Sequence, residues 1–140
     1  LHGLLQAAAS EEQPAKVIMI ASIDGLRANP WETYPYQASK AALIHLTRRM
    51  AARLAGERIA VTGIAPGMFA SKMNRAATHA GDKVAELIPI GRVGADEDMA
   101  GAAIFLASRA GDYVVGETLV VDGGWVNAAL PRDFVSATGE

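Results

Sequence analysis

Apolar positions along the chain fall into two rhythms. Lys16-Val17-Ile18-Met19-Ile20-Ala21-Ser22 and Ile59-Ala60-Val61-Thr62-Gly63-Ile64-Ala65 are nearly unbroken apolar runs rich in β-branched residues. Runs that do not alternate predict strands buried on both faces, as in a parallel sheet. Glu117-Thr118-Leu119-Val120-Val121 predicts a third strand, closed by Asp122-Gly123-Gly124, and Pro66-Gly67 stops the second. A helical rhythm fills the intervals. One helix is predicted from about Pro35 to Ala55, with Leu43, Leu46, Met50 and Leu54 as its apolar stripe. Pro35 suits its first turn and Gly56 its end. Arg48, Arg49, Arg53 and Arg58 gather where the helix dipole favours cations, which is a structural use. Another helix runs from the acidic Asp96-Glu97-Asp98 to about Ala107. Residues 1–9 read as the last turns of a helix, 10–15 as a polar loop and 24–31 as a further loop. Residues 68–94 are mixed and read as one or two short helices in a mobile lid, whereas 125–140 carry no clear signal.

The order strand, helix, strand, lid, helix, strand is a βαβ series, which implies an α/β fold with a parallel sheet and right-handed crossovers. Ligands of such sheets sit at the carboxyl ends of the strands. Topology alone therefore brings Ser22, Pro66-Gly67 and the start of the Tyr36 helix to one rim.

Composition narrows the function classes. The chain has 140 residues, 51% of them hydrophobic, enough for the core of one domain. A net charge of −2 and a pI near 5.9 give no basic field for nucleic acid or an anionic membrane. No cysteine is present, which excludes disulfides, thiolate metal sites and a cysteine nucleophile, and suits a reducing cytoplasm. The apolar runs are too short to span a bilayer, and no charged-then-apolar leader opens the chain. His2, His45 and His79 lie far apart, without metal-ligand spacing. The chain opens at Leu1 inside what reads as a helix, so it is expected to be the later part of something longer.

The chemistry centres on Tyr36-Gln37-Ala38-Ser39-Lys40. Residues four apart share a helix face one turn apart. An ammonium about 5 Å from a phenolate, at an effective dielectric near 20, stabilises the anion by roughly 3 kcal/mol. Tyr36 and Lys40 so placed form an acid–base device. The same spacing also suits two amphipathic side chains that merely cap a core.

Four segments in this order decide between those readings. Ile20-Ala21-Ser22, Tyr36 to Lys40, Ile64-Ala65-Pro66-Gly67 and Val121-Asp122-Gly123-Gly124 resemble the second half of a classical short-chain dehydrogenase/reductase. The resemblance is nearest to 3-oxoacyl-acyl-carrier-protein reductases and covers roughly residues 1–125, Ile90-Gly91-Arg92 and Gly94 to Asp98 included. It implies a Rossmann-like, doubly wound parallel sheet of which only the later βαβ part is present. Residues 1–140 would then be the C-terminal portion of a single oxidoreductase domain. By resemblance, Tyr36 is the general acid at the carbonyl oxygen, and Lys40 holds the nicotinamide ribose and stabilises the Tyr36 anion. Ser22 would hydrogen-bond the substrate oxygen; its alternative is a strand-end cap. Pro66, Gly67, Met68 and Phe69 would flank the nicotinamide of NAD or NADP, with Ser71 at its carboxamide. Asp122-Gly123-Gly124 is expected to be a structural turn. Ser71 replaces the usual threonine, Thr62 an asparagine and Asp96 a proline, and Ser22 precedes Tyr36 by fourteen residues, one more than is commonest.

The family's Thr-Gly-x-x-x-Gly-x-Gly phosphate loop, Asn-Asn-Ala-Gly segment and catalytic asparagine have no counterpart here and would lie before Leu1. A chain holding only this half is expected to bind cofactor weakly and turn over little. The implied reaction is hydride exchange between NAD(P)(H) and a carbonyl or alcohol. A 3-oxoacyl thioester leads, on the family likeness and an apolar lid of Met68, Phe69, Met73, Leu87 and Ile88. The alternatives are a polyol or sugar dehydrogenase, and a non-catalytic fragment that keeps only assembly surfaces. A homo-oligomer, tetramer or dimer, is expected from the apolar faces of the two long helices.

Overall fold

Three parallel strands carry the molecule: β1 (Ala15–Ile20), β2 (Ile59–Pro66) and β3 (Thr118–Val121), paired in that order. The computed structural model describes residues 1–71 and 79–129. β1 and β2 pair from Ala15↔Ile59 to Ile20↔Ile64, and β2 and β3 from Gly63↔Thr118 to Pro66↔Val121. Helix α1 (His2–Ala8) precedes β1, and α2 (Tyr34–Leu54) joins β1 to β2. A short α3 (Gly81–Ala85) lies in the lid segment, and α4 (Asp96–Ala107) leads to β3. The expected α/β fold with a parallel sheet is the one observed.

The strands divide by position. β2 is central, and every residue from Ile59 to Ala65 is buried, as an unbroken apolar run requires. β1 departs from the expectation of burial on both faces. Its middle residues are half-buried and Ile20 is 51% exposed, because among the described residues β1 pairs with β2 alone. Its ladder also ends at Ile20, which leaves Ser22 beyond the strand.

Helix α2 bears out the predicted stripe in part: Leu43, Met50 and Leu54 pack on the core clusters, but the fully buried row lies beside them. Ile44, Thr47 and Ala51 face the sheet, while Leu46 is 45% exposed. Spacings of three and four place 44, 47 and 51 in one row, and the small Thr47 and Ala51 let the helix backbone approach the strands. A row of leucines would hold it away. Thr47 Oγ1 donates to Leu43 O at 2.9 Å, which satisfies its buried hydroxyl. Ala51 packs with Ala15, Ile59 and Val61 at the amino ends of the strands, and Ile44 with Ala21 and Ala65 at their carboxyl ends. The helix therefore runs antiparallel to the sheet and starts at its carboxyl rim. At its far end Gly56 sits within a 3-10 turn, and Arg58, not the glycine, takes the left-handed conformation at φ 58°. Its guanidinium pairs with Glu11 at 2.7 Å.

Helices cover both faces. Ala15 and Val17 pack toward α1 and α2, whereas the alternating Lys16 reaches across the opposite face to Asp112, just after α4, at 2.7 Å. With the strands in the order β1, β2, β3, helices on opposite faces require crossovers of opposite hand. The expectation that every crossover is right-handed therefore fails for one of the two.

Thr118 is among the buried polar groups that lack a hydrogen-bond partner within the described residues. Thr118 is 7% exposed, and its Oγ1, lying over Gly63, makes no hydrogen bond. A buried unpaired hydroxyl costs roughly 1–3 kcal/mol. Thr118→Val, which keeps the shape and removes the hydroxyl, is expected to stabilise the fold by about 1 kcal/mol. The check is the midpoint of urea unfolding; a midpoint lowered by the substitution contradicts it.

Candidate active site

The carboxyl rim of β1 and β2 is built by register. Ile20 lies opposite Ile64, and the Ala21 N–H donates to the Ile64 carbonyl at 2.7 Å. Ser22 and Pro66 therefore leave the sheet side by side. Past Ser22 the chain turns through a short 3-10 helix (Ile23–Gly25), and the buried Ser22 caps it, with Oγ accepting from the Asp24 N–H at 3.2 Å. The cap occupies an oxygen lone pair and leaves the O–H to donate. The strand-end cap and a donor role are thus compatible.

Gly25 seats that turn on α2. A Cβ at this position would lie 2.6 Å from the Lys40 carbonyl carbon and 2.7 Å from the Ala41 nitrogen. No side chain fits, so the turn rests directly on the helix backbone at Lys40. The sequence offered Asp24-Gly25 only as loop, and no local pattern reports a close approach between segments fifteen residues apart.

Lys40 Nζ donates to the Ile20 carbonyl, the last of β1, at 2.8 Å and lies 5.5 Å from the centroid of the half-buried Tyr36 ring. An ammonium has three donors, and this bond uses one. Ser22, Tyr36 and Lys40 are thereby carried by contiguous structure: the end of β1, the turn seated on α2, and the first turns of α2 itself. Tyr34, at 68% exposed, opens the same helix.

Gln37, inside the predicted motif but given no role, organises the loop before the helix. Its Nε2 lies within hydrogen-bonding distance of Asn29 Oδ1 (3.2 Å), the Trp31 carbonyl (3.2 Å) and Thr33 Oγ1 (3.3 Å).

On the β2 side, the Gly67 N–H donates to the Val121 carbonyl at 2.9 Å, and a Cβ on Gly67 would meet the Asp122 Cα at 2.6 Å. The Pro66-Gly67 turn therefore rests on the Asp122 turn. The Asp122 carboxylate accepts from the Gly124 N–H at 2.8 Å and the Val126 N–H at 2.7 Å, the structural turn that was expected. Met68 packs with Val84 and Ile88, and Phe69 covers Gly94, so both side chains join the lid segment to the β3 side of the turn. Their backbone follows the Pro66-Gly67 turn, and Ser71 is exposed just beyond. Of the apolar lid residues, Met68 and Ile88 are core, Leu87 is 58% exposed, and Met73 lies outside the described residues.

An open cleft of about 290 Å³ lies on the β3 side of this turn, between Met68, Phe69, Ile90, Arg92, Asp98 and Gly124. Ser22, Tyr36 and Lys40 are not part of it. Its polar wall is neutralised: Arg92 forks onto Asp98 at 2.6 and 2.9 Å, and Asp98 also accepts from the Ala95 N–H at 2.8 Å. The guanidinium first, and then that N–H, hold the Asp98 carboxyl well below the usual carboxylate range. Among the described residues, no cluster of histidine and carboxylate groups is suited to a metal ion, and no helix is long and apolar enough to cross a membrane.

Comparison with known proteins adds an independent line. The family model described as enoyl-(acyl carrier protein) reductase matches residues 2–126. The rhamnolipids biosynthesis 3-oxoacyl-[acyl-carrier-protein] reductase of Pseudomonas aeruginosa is 45% identical over 125 residues, which is 87% of this chain and 49% of that protein. The 5-keto-D-gluconate 5-reductase of Escherichia coli is 41% identical over 121 residues, 84% of this chain and 47% of that protein. Among solved structures, the Pseudomonas aeruginosa RhlG/NADP active-site complex superposes with a TM-score of 0.84 at 44% identity, over 90% of this chain and 50% of that one. The chain spans about half the length of the curated relatives it matches.

Proposed function

The chain belongs to the short-chain dehydrogenase/reductase family, and we propose that it supplies the C-terminal, substrate-facing half of an oxidoreductase that exchanges a hydride between NADP(H) or NAD(H) and a carbonyl or alcohol. The observation that carries this reading is Lys40, bonded to the last carbonyl of β1 with its ammonium 5.5 Å from the Tyr36 ring, on the turn of helix against which Gly25 seats the Ser22 cap.

The residues present suit the nicotinamide end of such a cofactor. Lys40 keeps two donors for ribose hydroxyls, and the Pro66-Gly67 turn with the Met68-Phe69 backbone and Ser71 follows the adjacent strand end. The Thr-Gly-x-x-x-Gly-x-Gly loop that would grip a pyrophosphate is not among these 140 residues. The cofactor, when bound, supplies the hydride. The chain's own groups manage the proton and the oxygen. Ser22 donates its O–H to the substrate oxygen and holds it in place. Tyr36 delivers its phenolic proton to that oxygen as charge develops on it. Lys40 stabilises the phenolate left behind, and in the oxidative direction the three roles reverse.

A 3-oxoacyl thioester is the favoured substrate, supported by the Pseudomonas aeruginosa relative and by the exposed apolar groups Leu87 and Ile90 of the lid segment. The Escherichia coli relative supports a sugar-acid substrate as the second reading. Homo-oligomerisation, as a tetramer or a dimer, is supported by the exposed Leu46 on α2 and by Ile104, 67% exposed on α4. A cytoplasmic setting accords with the absence of cysteine.

The test takes the full-length enzyme. NADPH fluorescence is expected to rise on mixing, and NADPH oxidation to be faster with a 3-oxoacyl thioester than with a 5-keto sugar acid. Faster turnover of the sugar acid establishes the second reading. Cofactor binding without turnover of either substrate favours a third, a unit retained for assembly.

A further inference from the structure

Arg27 lies in the loop between the Ser22 turn and α2, and its bond is remote. Its Nη1 donates to the Trp125 carbonyl at 2.7 Å, across 98 positions of sequence. Trp125 follows the turn in which Asp122 fixes the Gly124 and Val126 N–H groups, and its side chain packs on the Met68, Val84 and Ile88 cluster. The Arg27 backbone is tied in turn to Ile23, whose carbonyl accepts its N–H at 2.9 Å within the turn that Ser22 caps. One side chain thus joins two walls, the turn that carries Ser22 and the core of the lid segment. The Ser22 turn is seated on α2 by Gly25, so the bond ties the Trp125 segment to a fixed point. Among the described residues no carboxylate pairs with this guanidinium, and its charge strengthens the bond to the carbonyl.

We propose that Arg27 is a positioning residue that sets the width of the substrate cleft, by holding the Ser22 turn at a fixed separation from the wall built on Trp125. This rests on the reading that the reacting carbonyl sits at the rim beside Ser22. Lys40 is held separately, by the Ile20 carbonyl, so the strap acts on substrate fit and leaves the nicotinamide side alone. The Ser22 turn stays seated on α2 through Gly25, so removing the strap frees the Trp125 wall and loosens the grip on an acyl chain lying between the two without moving Ser22 or the proton donor.

The experiment compares Arg27→Met and Arg27→Lys in the full-length enzyme. Methionine keeps the aliphatic stem and removes the donors; lysine keeps a cationic donor. KM and kcat are measured for a 3-oxoacyl thioester at saturating NADPH, and NADPH affinity is measured by fluorescence. Fluorine NMR of the enzyme labelled with 5-fluorotryptophan, with the Trp125 resonance assigned by its loss in Trp125→Phe, reports on the Trp125 wall. Arg27→Met is expected to raise KM roughly five- to tenfold, the worth of one charge-assisted bond, with kcat and NADPH affinity nearly unchanged. It should also shift the Trp125 resonance, and Arg27→Lys should recover most of both effects. An unchanged KM in Arg27→Met overturns the proposal, as does a kcat loss without a KM change. Tyr36→Phe in the same assay separates this inference from the catalytic reading. An inactive Tyr36→Phe beside an unaltered Arg27→Met sinks the strap alone, whereas an active Tyr36→Phe beside a raised KM keeps the strap and dismisses the tyrosine.

Discussion

Replacing Tyr36 by phenylalanine is expected to lower kcat of the full-length enzyme by about 10²- to 10⁴-fold, the usual worth of a positioned general acid. The change removes one oxygen and little volume from a half-buried ring, so the fold should persist. In barrier terms the loss is roughly 3–5 kcal/mol. NADPH affinity should hardly move, because the ammonium of Lys40 keeps its bond to the Ile20 carbonyl whether or not the phenol is present. Lys40→Ala should differ in kind, lowering both rate and cofactor affinity, since it loses the ribose donors together with the charge beside the ring. Tyr34→Phe is the control. Tyr34 is 68% exposed, and four residues on stands Ala38, which has no charge to offer. Its substitution should cost less than about tenfold. Steady-state rates with NADPH binding measured in parallel decide the matter. If Tyr34→Phe abolished turnover while Tyr36→Phe spared it, the assignment would be wrong.

Gly25→Ala should produce the second large effect. The new methyl would stand 2.6 Å from the Lys40 carbonyl carbon and 2.8 Å from its oxygen, against backbone that cannot rotate away. Either the 3-10 turn lifts from α2 or α2 shifts on the sheet. Overpacking of this kind costs typically 1–3 kcal/mol of stability. The activity loss should be larger, because Ser22 caps the displaced turn and a misplacement of about 1 Å can cost on the order of 10²-fold in rate. Gly101→Ala offers the comparison. Its added methyl meets nothing within 4 Å on exposed α4, so that variant should be unchanged or stabilised by up to about 1 kcal/mol. Urea unfolding and kcat for the two variants supply the check. Wild-type stability together with wild-type rate in Gly25→Ala would contradict the close seat.

The two glycine positions also show what the sequence can and cannot convey. Strands announced themselves because an unbroken apolar run has few homes other than a sheet interior, and α4 begins and ends where its acids and periodicity placed it. Rim convergence followed from parallel topology, without any side chain being examined. The phase of α2 was harder: leucines advertise hydrophobicity more loudly than Thr47 or Ala51, yet the small residues make the closest contact. Exposure of β1 was illegible for another reason, since burial depends on neighbours that a strand's own composition does not list. Contacts such as Gly25 on Lys40, or Arg27 on Trp125, join segments whose local patterns are independent. For the proposed trio the spacing of Tyr36 and Lys40 was informative, whereas the Gly25 seat of the Ser22 turn on α2 was not.

Because every strand pairing among the described residues is parallel, none of these can form as a hairpin. Ala15 finds Ile59 only across forty-three intervening residues, and Gly63 finds Thr118 across fifty-four. Loop closure over such spans is entropically costly before any contact rewards it, and folds dominated by distant pairings reach the native state slowly. The order of assembly follows. Ser22, Gly25, Tyr36 and Lys40 belong to one continuous stretch and can meet through nearby contacts. The Pro66-Gly67 turn reaches them only when β2 docks, and its support on Asp122 arrives only when β3 closes. The side of the rim that carries Ser22, Tyr36 and Lys40 can therefore be laid down early, while the side proposed to face the nicotinamide waits for the most distant pairing.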